Sequence, residues 1–143
     1  MQTKKKIIII AIAILTFLAL VLLIAYFSPK TFLKNQEPSS IKSISVFDGN
    51  TGEGFVISNP NEIKYIVENI SRIKTKRDKI SVGYSGFGFR LSFYDEKGKE
   101  IDSFIINGEN TIRSDPFFYR CNSPLCFEYL KELEANYIDQ KGE

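Results

Sequence analysis

The sequence predicts an α+β domain behind a single membrane-spanning helix. Three observations carry that expectation. The first is a 21-residue run, Ile7 to Phe27, in which only Thr16 is not apolar. The second is a series of short segments with alternating apolar and polar residues, joined by compact turn sequences, as in antiparallel strands. The third is a pair of segments with apolar residues at helical spacing, introduced by Asn59-Pro60 and Ser123-Pro124. A capping side chain followed by proline at the first helical position marks a helix start. The predicted order after the span is β-β-α-β-β-β-α, with 117–120 as a further short strand.

At about 1.5 Å of rise per residue, the apolar run is about 31 Å long, the thickness of a hydrocarbon core. A helix on a soluble domain would keep a polar face, and this run has none. Lys4, Lys5 and Lys6 precede it. The run is longer than the apolar stretch of a signal peptide, about 7–15 residues, and no small-x-small cleavage site follows. Residues 1–6 are therefore read as a cytoplasmic, topogenic basic segment and 7–27 as an uncleaved signal-anchor. The C-terminal domain then lies outside the membrane. Lys30 and Lys34 beyond the span weaken this charge bias without reversing it. Tyr26 and Phe27 are expected at the far interface, where aromatic rings concentrate.

Residues 28–40 contain Pro29, Pro38 and mostly polar side chains, and read as a juxtamembrane linker. The globular domain is expected over 41–138. Ile44 and Val46 alternate with polar neighbours in a strand at 41–47. Asp48-Gly49-Asn50-Thr51-Gly52 supplies turn chemistry, and Gly54 to Ile57 returns. Asn59, Pro60 and Glu62 form a capping-box arrangement for a helix at 60–72. Its Ile63, Ile66, Val67, Ile70 and Ile73 share one face.

A basic exit follows, Arg72 to Lys79, and then a glycine-rich stretch, Gly83 to Gly88. Phe87, Phe89, Leu91 and Phe93 alternate with polar or small residues as a strand with one apolar face. Asp95 to Lys99 reads as a hairpin loop with Gly98 available for positive φ, and Ile101 to Ile106 as the partner strand. Asn107-Gly108 favours a two-residue type I′ turn leading to Thr111-Ile112-Arg113. Ser114-Asp115-Pro116 then breaks the chain. Ser123 is expected to cap a last helix bearing Leu125, Cys126, Tyr129, Leu130 and Leu133 on its buried side. Residues 139–143 read as a polar tail.

Composition excludes several chemistries. The chain of 143 residues is 43% hydrophobic and has no histidine. A Ser-His-Asp triad, a Cys-His pair and histidine-ligated zinc are thereby excluded. The formal net charge is +2, but without Lys4–Lys6 the remainder has 16 basic residues against 17 acidic ones. Nucleic-acid binding therefore lacks its electrostatic footprint. The sequence contains no pattern that calls for a cofactor or a metal.

The only cysteines are Cys121 and Cys126. Outside a membrane their spacing allows an intrachain disulfide across the Ser123-Pro124 turn; the alternative is two structural thiols. Arg72, Lys74, Lys76, Arg77 and Lys79 form a basic run suited to a polyanion, such as lipid headgroups or a cell-wall polymer, or to a solvated helix exit. Arg113, Phe117, Phe118, Tyr119 and Arg120 form the best recognition patch, with completion of the core as the plainer role for the phenylalanines. The Asp48–Gly52 segment begins like a calcium loop, but its twelfth position is Asn59 rather than a bidentate glutamate. The Gly83–Gly88 stretch lacks the Lys-Ser/Thr of a phosphate loop. Asp95, Glu96, Glu100 and Asp102 are explained by a polar hairpin.

The basic segment with its apolar span, the stretch Gly-Phe-Val-Ile-Ser-Asn-Pro-Asn-Glu-Ile at 54–63 and the hairpin Phe-Tyr-Asp-Glu-Lys-Gly-Lys-Glu-Ile at 93–101 together carry a resemblance. The chain resembles the single-pass, membrane-anchored extracytoplasmic proteins of low-GC Gram-positive bacteria whose domains have no assigned function. That resemblance implies an anchor and a small outer domain, and no catalytic residues. The expected function is a non-catalytic binding or protein-interaction module at the cell surface, with an envelope protein or polyanion as partner. The alternative is a small envelope enzyme using carboxylates or Ser with Lys.

Overall fold

The computed structural model describes residues 2 to 141. Helix α1 (Gln2–Phe27) contains the apolar run and buries none of its side chains. It is long and apolar enough to cross a membrane. Beyond it lie seven strands and two helices: β1 (Ser43–Asp48), β2 (Gly54–Ile57), α2 (Pro60–Arg72), β3 (Thr75–Ile80), β4 (Phe89–Tyr94), β5 (Glu100–Ile106), β6 (Thr111–Ser114), β7 (Phe117–Cys121) and α3 (Phe127–Lys141). The strands form one antiparallel sheet in the order β2-β1-β4-β5-β6-β7-β3. The fold is α+β, as the sequence predicts.

Local chemistry explains the elements that were expected. Asn59 accepts from the Asn61 amide at 2.9 Å and starts α2 at Pro60. Glu62 meets the Tyr137 hydroxyl on α3 at 3.5 Å rather than returning to the Asn59 amide. The apolar face of α2 is buried along Ile63, Ile66, Val67 and Ile70, each side chain contributing about 1.5–3 kcal/mol on removal from water. Asp95 accepts from the Lys97 and Lys99 amides, and Gly98 takes φ 74, closing the β4–β5 hairpin.

The helices cover only one face of the sheet. Ile44, Val46 and Ile57 meet them from β1 and β2, and Leu91, Phe93, Phe104, Ile106 and Ile112 from the centre. Phe89 of β4 lies 5.4 Å from Phe127, and Phe55 of β2 stacks on Tyr137 at 5.0 Å. The opposite face carries Ser45, Phe47, Val56, Arg90, Ser92 and Ser103, and no helix lies over it among the described residues.

Five expectations are corrected. The basic exit after α2 is a strand: β3 forms the sheet edge, paired to β7 as Thr75↔Cys121, Lys76↔Arg120 and Arg77↔Tyr119. Its pattern was hidden because the buried position is a threonine, Thr75, rather than an aliphatic residue. The segment 28–40 is not a free linker. Phe32 and Leu33 are each 3% exposed, and Phe32 packs 4.9 Å from Phe104 and 5.4 Å from Tyr119. Leu33 takes φ 53 to do so. The cost of that left-handed conformation, about 1–2 kcal/mol, is offset by burial of the side chain, about 1.5–3 kcal/mol.

The Asn107-Gly108 turn is wider than two residues. Asn107 pairs with Thr111 through its amide at 2.9 Å, and its side chain is committed to the Gly88 amide. Helix α3 begins at Phe127, not after Ser123. Segment 122–125 is held out of the helix by the bond from the Leu125 amide to the Glu109 carbonyl, and Cys126 supplies the first helical acceptor, to Leu130. Finally, α3 runs to Lys141, so 139–141 belong to the helix, while 142–143 lie outside the described residues.

Candidate functional site

Two surfaces emerge, one where the sheet meets α1 and one on the open face. At the first, Lys30 forms an antiparallel bridge with Thr75: the two amides and carbonyls exchange bonds of 2.9 and 3.0 Å, and the Thr75 hydroxyl donates to the Lys30 carbonyl. The Arg77 guanidinium lies 4.4 Å from the ring centre of Tyr26, in the last turn of α1, and 4.3 Å from that of Phe117. Its Nε is buried with no hydrogen-bond partner. The two ring faces supply its electrostatic compensation instead.

Beside this junction is a hollow of about 400 Å³ lined by Pro29, Lys74, Lys76, Arg120 and Asn122 among others. Lys76 and Arg120 stand directly opposite each other on neighbouring strands. Like charges in that register repel. Asp78 relieves part of the repulsion through a 3.4 Å pair with Arg120. Of the five predicted polyanion contacts, Lys74 and Lys76 therefore converge, joined by Arg120. Arg77 turns to the rings, Lys79 meets the Tyr84 hydroxyl at 3.2 Å, and Arg72 pairs with Glu68 within α2.

The predicted recognition patch is not one surface. Alternation along β7 sends Phe117 and Tyr119 to the helix side, and Phe118 and Arg120 to the open side. Phe118 and Tyr119 are 4% and 5% exposed. Arg113 is bound by Asp115 at 2.7 Å and donates to the Tyr84 carbonyl at 2.9 Å. The Arg113 bond and then the Ser81 hydroxyl hold the Asp115 carboxyl below its ordinary pKa.

The disulfide is also corrected. Cys121 and Cys126 are free and apart. Cys121 ends β7, while the Cys126 amide is drawn to the Asn69 side chain of α2 at 2.9 Å. Burial pushes the half-buried Cys121 thiol up to about 11 and the buried Cys126 thiol to about 12, so both stay protonated and weakly nucleophilic at neutral pH.

Elsewhere the polar residues serve turns. Asp48 accepts from the Asn50 amide and side chain, which makes the β1–β2 segment a hairpin turn. Asp102 binds the neighbouring Ser103 amide and Glu100 the Tyr94 hydroxyl. Sequence reasoning missed Glu134. It is 8% exposed and accepts from the Thr51 hydroxyl at 3.1 Å. Burial raises its pKa; the Thr51 bond opposes this, and the negative charges of Asp48 and Glu53 add to it. No signal in a polar helix marks one glutamate as inward-facing.

The open face presents Phe47, 40% exposed, and Val56, 54% exposed. Phe47 lies 6.0 Å from Phe87, whose ring carries the Arg90 guanidinium at 4.7 Å. Phe87 precedes β4 rather than continuing its alternation, which is how an aromatic reaches this side. The arrangement offers aromatic faces with an arginine, a combination enriched at binding surfaces. No protein-family model matches the chain, and neither a curated protein nor a solved structure matches it.

Proposed function

We propose that the chain is a non-catalytic binding or protein-interaction module, anchored by α1 in the cell membrane with its N-terminus cytoplasmic and its α+β domain outside. The observation that carries the reading is the uncovered sheet face with Phe47, Val56, Phe87 and Arg90. A sheet face that a domain leaves uncovered is ordinarily polar. An exposed aromatic-aliphatic group on it is a surface for a partner. The buried Phe32 and Leu33 support the same reading: a domain packed directly onto its anchor presents that face at a set height above the bilayer. The architectural resemblance to single-anchor envelope proteins points the same way.

Photo-crosslinking tests it. A benzophenone side chain replaces Phe47 in the full chain in intact cells, and in a second chain replaces Tyr65, exposed on the helix side. Adducts to a discrete protein or envelope polymer are expected from position 47 and not from position 65. Equal labelling at both, or none at 47, would defeat the binding reading. Orientation is read from Lys97→Cys in the exposed β4–β5 hairpin. A membrane-impermeant maleimide is expected to label it on intact cells, against the background measured on the parent chain, whose Cys126 is buried and Cys121 half-buried with a raised pKa.

A further inference from the structure

We propose that the β3–β4 loop is a second membrane-binding element, whose Val82 tip enters the interface of the same bilayer that α1 crosses. The proposal rests on reading α1 as a membrane span, and it names one contact of the anchored module.

The direction of β3 carries the argument. Lys30 and Thr75 pair antiparallel, so each step along β3 retraces the chain back toward α1. Two residues on, Arg77 already lies against Tyr26 in the last turn of that helix. Ile80 is five residues beyond Thr75, about 16 Å at 3.3 Å per residue. Lys30 is only three residues from the end of α1 at Phe27, at most about 11 Å. The end of β3 thus comes down to the level of the last turn of α1, and the loop that follows lies there too.

The loop is built for that position. Its base is fastened: Ser81 is fully buried, its amide donates to the Pro116 carbonyl at 2.8 Å and its hydroxyl to Asp115. Its tip is a tight turn closed by the Tyr84 amide on the Ser81 carbonyl at 3.2 Å. Gly83, at φ 89, occupies the place where a type II turn calls for positive φ. That conformation leaves Val82 at the corner. At 72% exposure it is the most exposed large apolar side chain among the described residues, above any in α1. Ile80 at 60% and Tyr84 at 50% flank it, and Lys79 reaches the Tyr84 hydroxyl. Single exposed apolar residues are ordinary on any surface. Three within five residues, one of them a tyrosine, with a lysine beside them and at the level of the last turn of an apolar helix, have the composition of a membrane interface.

The chain has no tryptophan, so one introduced tryptophan reports its own surroundings. Val82→Trp, Phe17→Trp and Glu109→Trp are made separately in the full chain and placed in vesicles of mixed anionic and zwitterionic lipid, with or without brominated acyl chains. Phe17 lies within α1, and Glu109 is exposed at the opposite end of the strands. Val82→Trp is expected to emit blue-shifted light and lose roughly half its intensity in brominated vesicles, as a ring at the headgroup–acyl boundary does. Glu109→Trp should be unaffected. Quenching of Phe17→Trp with none of Val82→Trp or of a second probe, Ile80→Trp, would overturn the loop contact and leave the span intact. Failure of Phe17→Trp to quench would overturn the span, and the loop contact with it.

Discussion

The two edges of the sheet are built from opposite materials. At one edge β2 is short and apolar; its neighbour β1 lies just before it in the chain, and Ile57 is completely buried. At the other, β3 reads Thr-Lys-Arg-Asp-Lys-Ile and pairs with β7, which begins at Phe117, and with Lys30 far upstream. The first edge is held by a local turn and hydrophobic burial. The second is held by backbone pairing to distant segments, by the buried Phe32 and Leu33, and by a guanidinium on two rings. Lysines along an edge also discourage further strands from adding to it. A strand with almost no apolar residues is therefore stable where partners brought by the fold replace what its own side chains do not provide.

Phe32→Ala tests this contrast most severely. Emptying the space between Phe104 and Tyr119 should cost about 3–5 kcal/mol, the cost of a core phenylalanine. Denaturant unfolding of the full chain in detergent micelles measures it, with Phe93→Ala in the central strand β4 as the reference. A loss under about 0.5 kcal/mol, the range of surface changes, would return 28–40 to the status of a tether. Arg77→Gln comes next, at about 1–2 kcal/mol, because it removes a partly desolvated cation from two rings. Arg77→Lys should recover part of that loss in the same unfolding experiment; no difference between Gln and Lys would show that charge against the rings is not what holds this edge.

The smallest effect belongs to the β2 edge. Burial raises the Glu134 pKa above its ordinary 4.5, so the folded state binds this proton more tightly than the unfolded chain. The stability that this group contributes is complete below the ordinary carboxylate pKa and declines as pH rises through the raised folded value. Glu134→Gln keeps an acceptor for Thr51 and removes the ionisation. Its advantage at neutral pH should be below about 1 kcal/mol, and its melting temperature should fall less than that of the parent chain between about pH 4 and pH 8. Parallel melting curves across that range would mean that Glu134 is not held against ionisation.

Legibility in the sequence follows the same division. Helix α2 is found at its predicted bounds because Asn59, Pro60 and the isoleucine spacing all act within one short segment. Strand β4 and its hairpin to β5 are legible because alternation and a turn lie side by side. Strand β3, the docked segment 28–33 and the Arg77 site are not, because each depends on a partner more than 40 residues away. The recognition patch around Phe117–Arg120 is divided between the two faces for a related reason. Adjacent residues in a strand point to opposite faces, so a cluster in sequence is divided in space. The aromatic group on the open face has the reverse history: Phe47 and Phe87 are remote in sequence and adjacent in the fold.

By itself the sequence determined the apolar helix, the α+β class, and the absence of histidine chemistry. Each of these depends only on composition or on periodicity within one segment. The tertiary structure alone decided that the cysteines remain apart, that a basic run becomes an edge strand, and that Val82 stands exposed at the corner of the β3–β4 turn. Those outcomes depend on which distant backbone groups satisfy one another's hydrogen bonds and which side chains fill the space between them. Residues far apart in the chain settle both together.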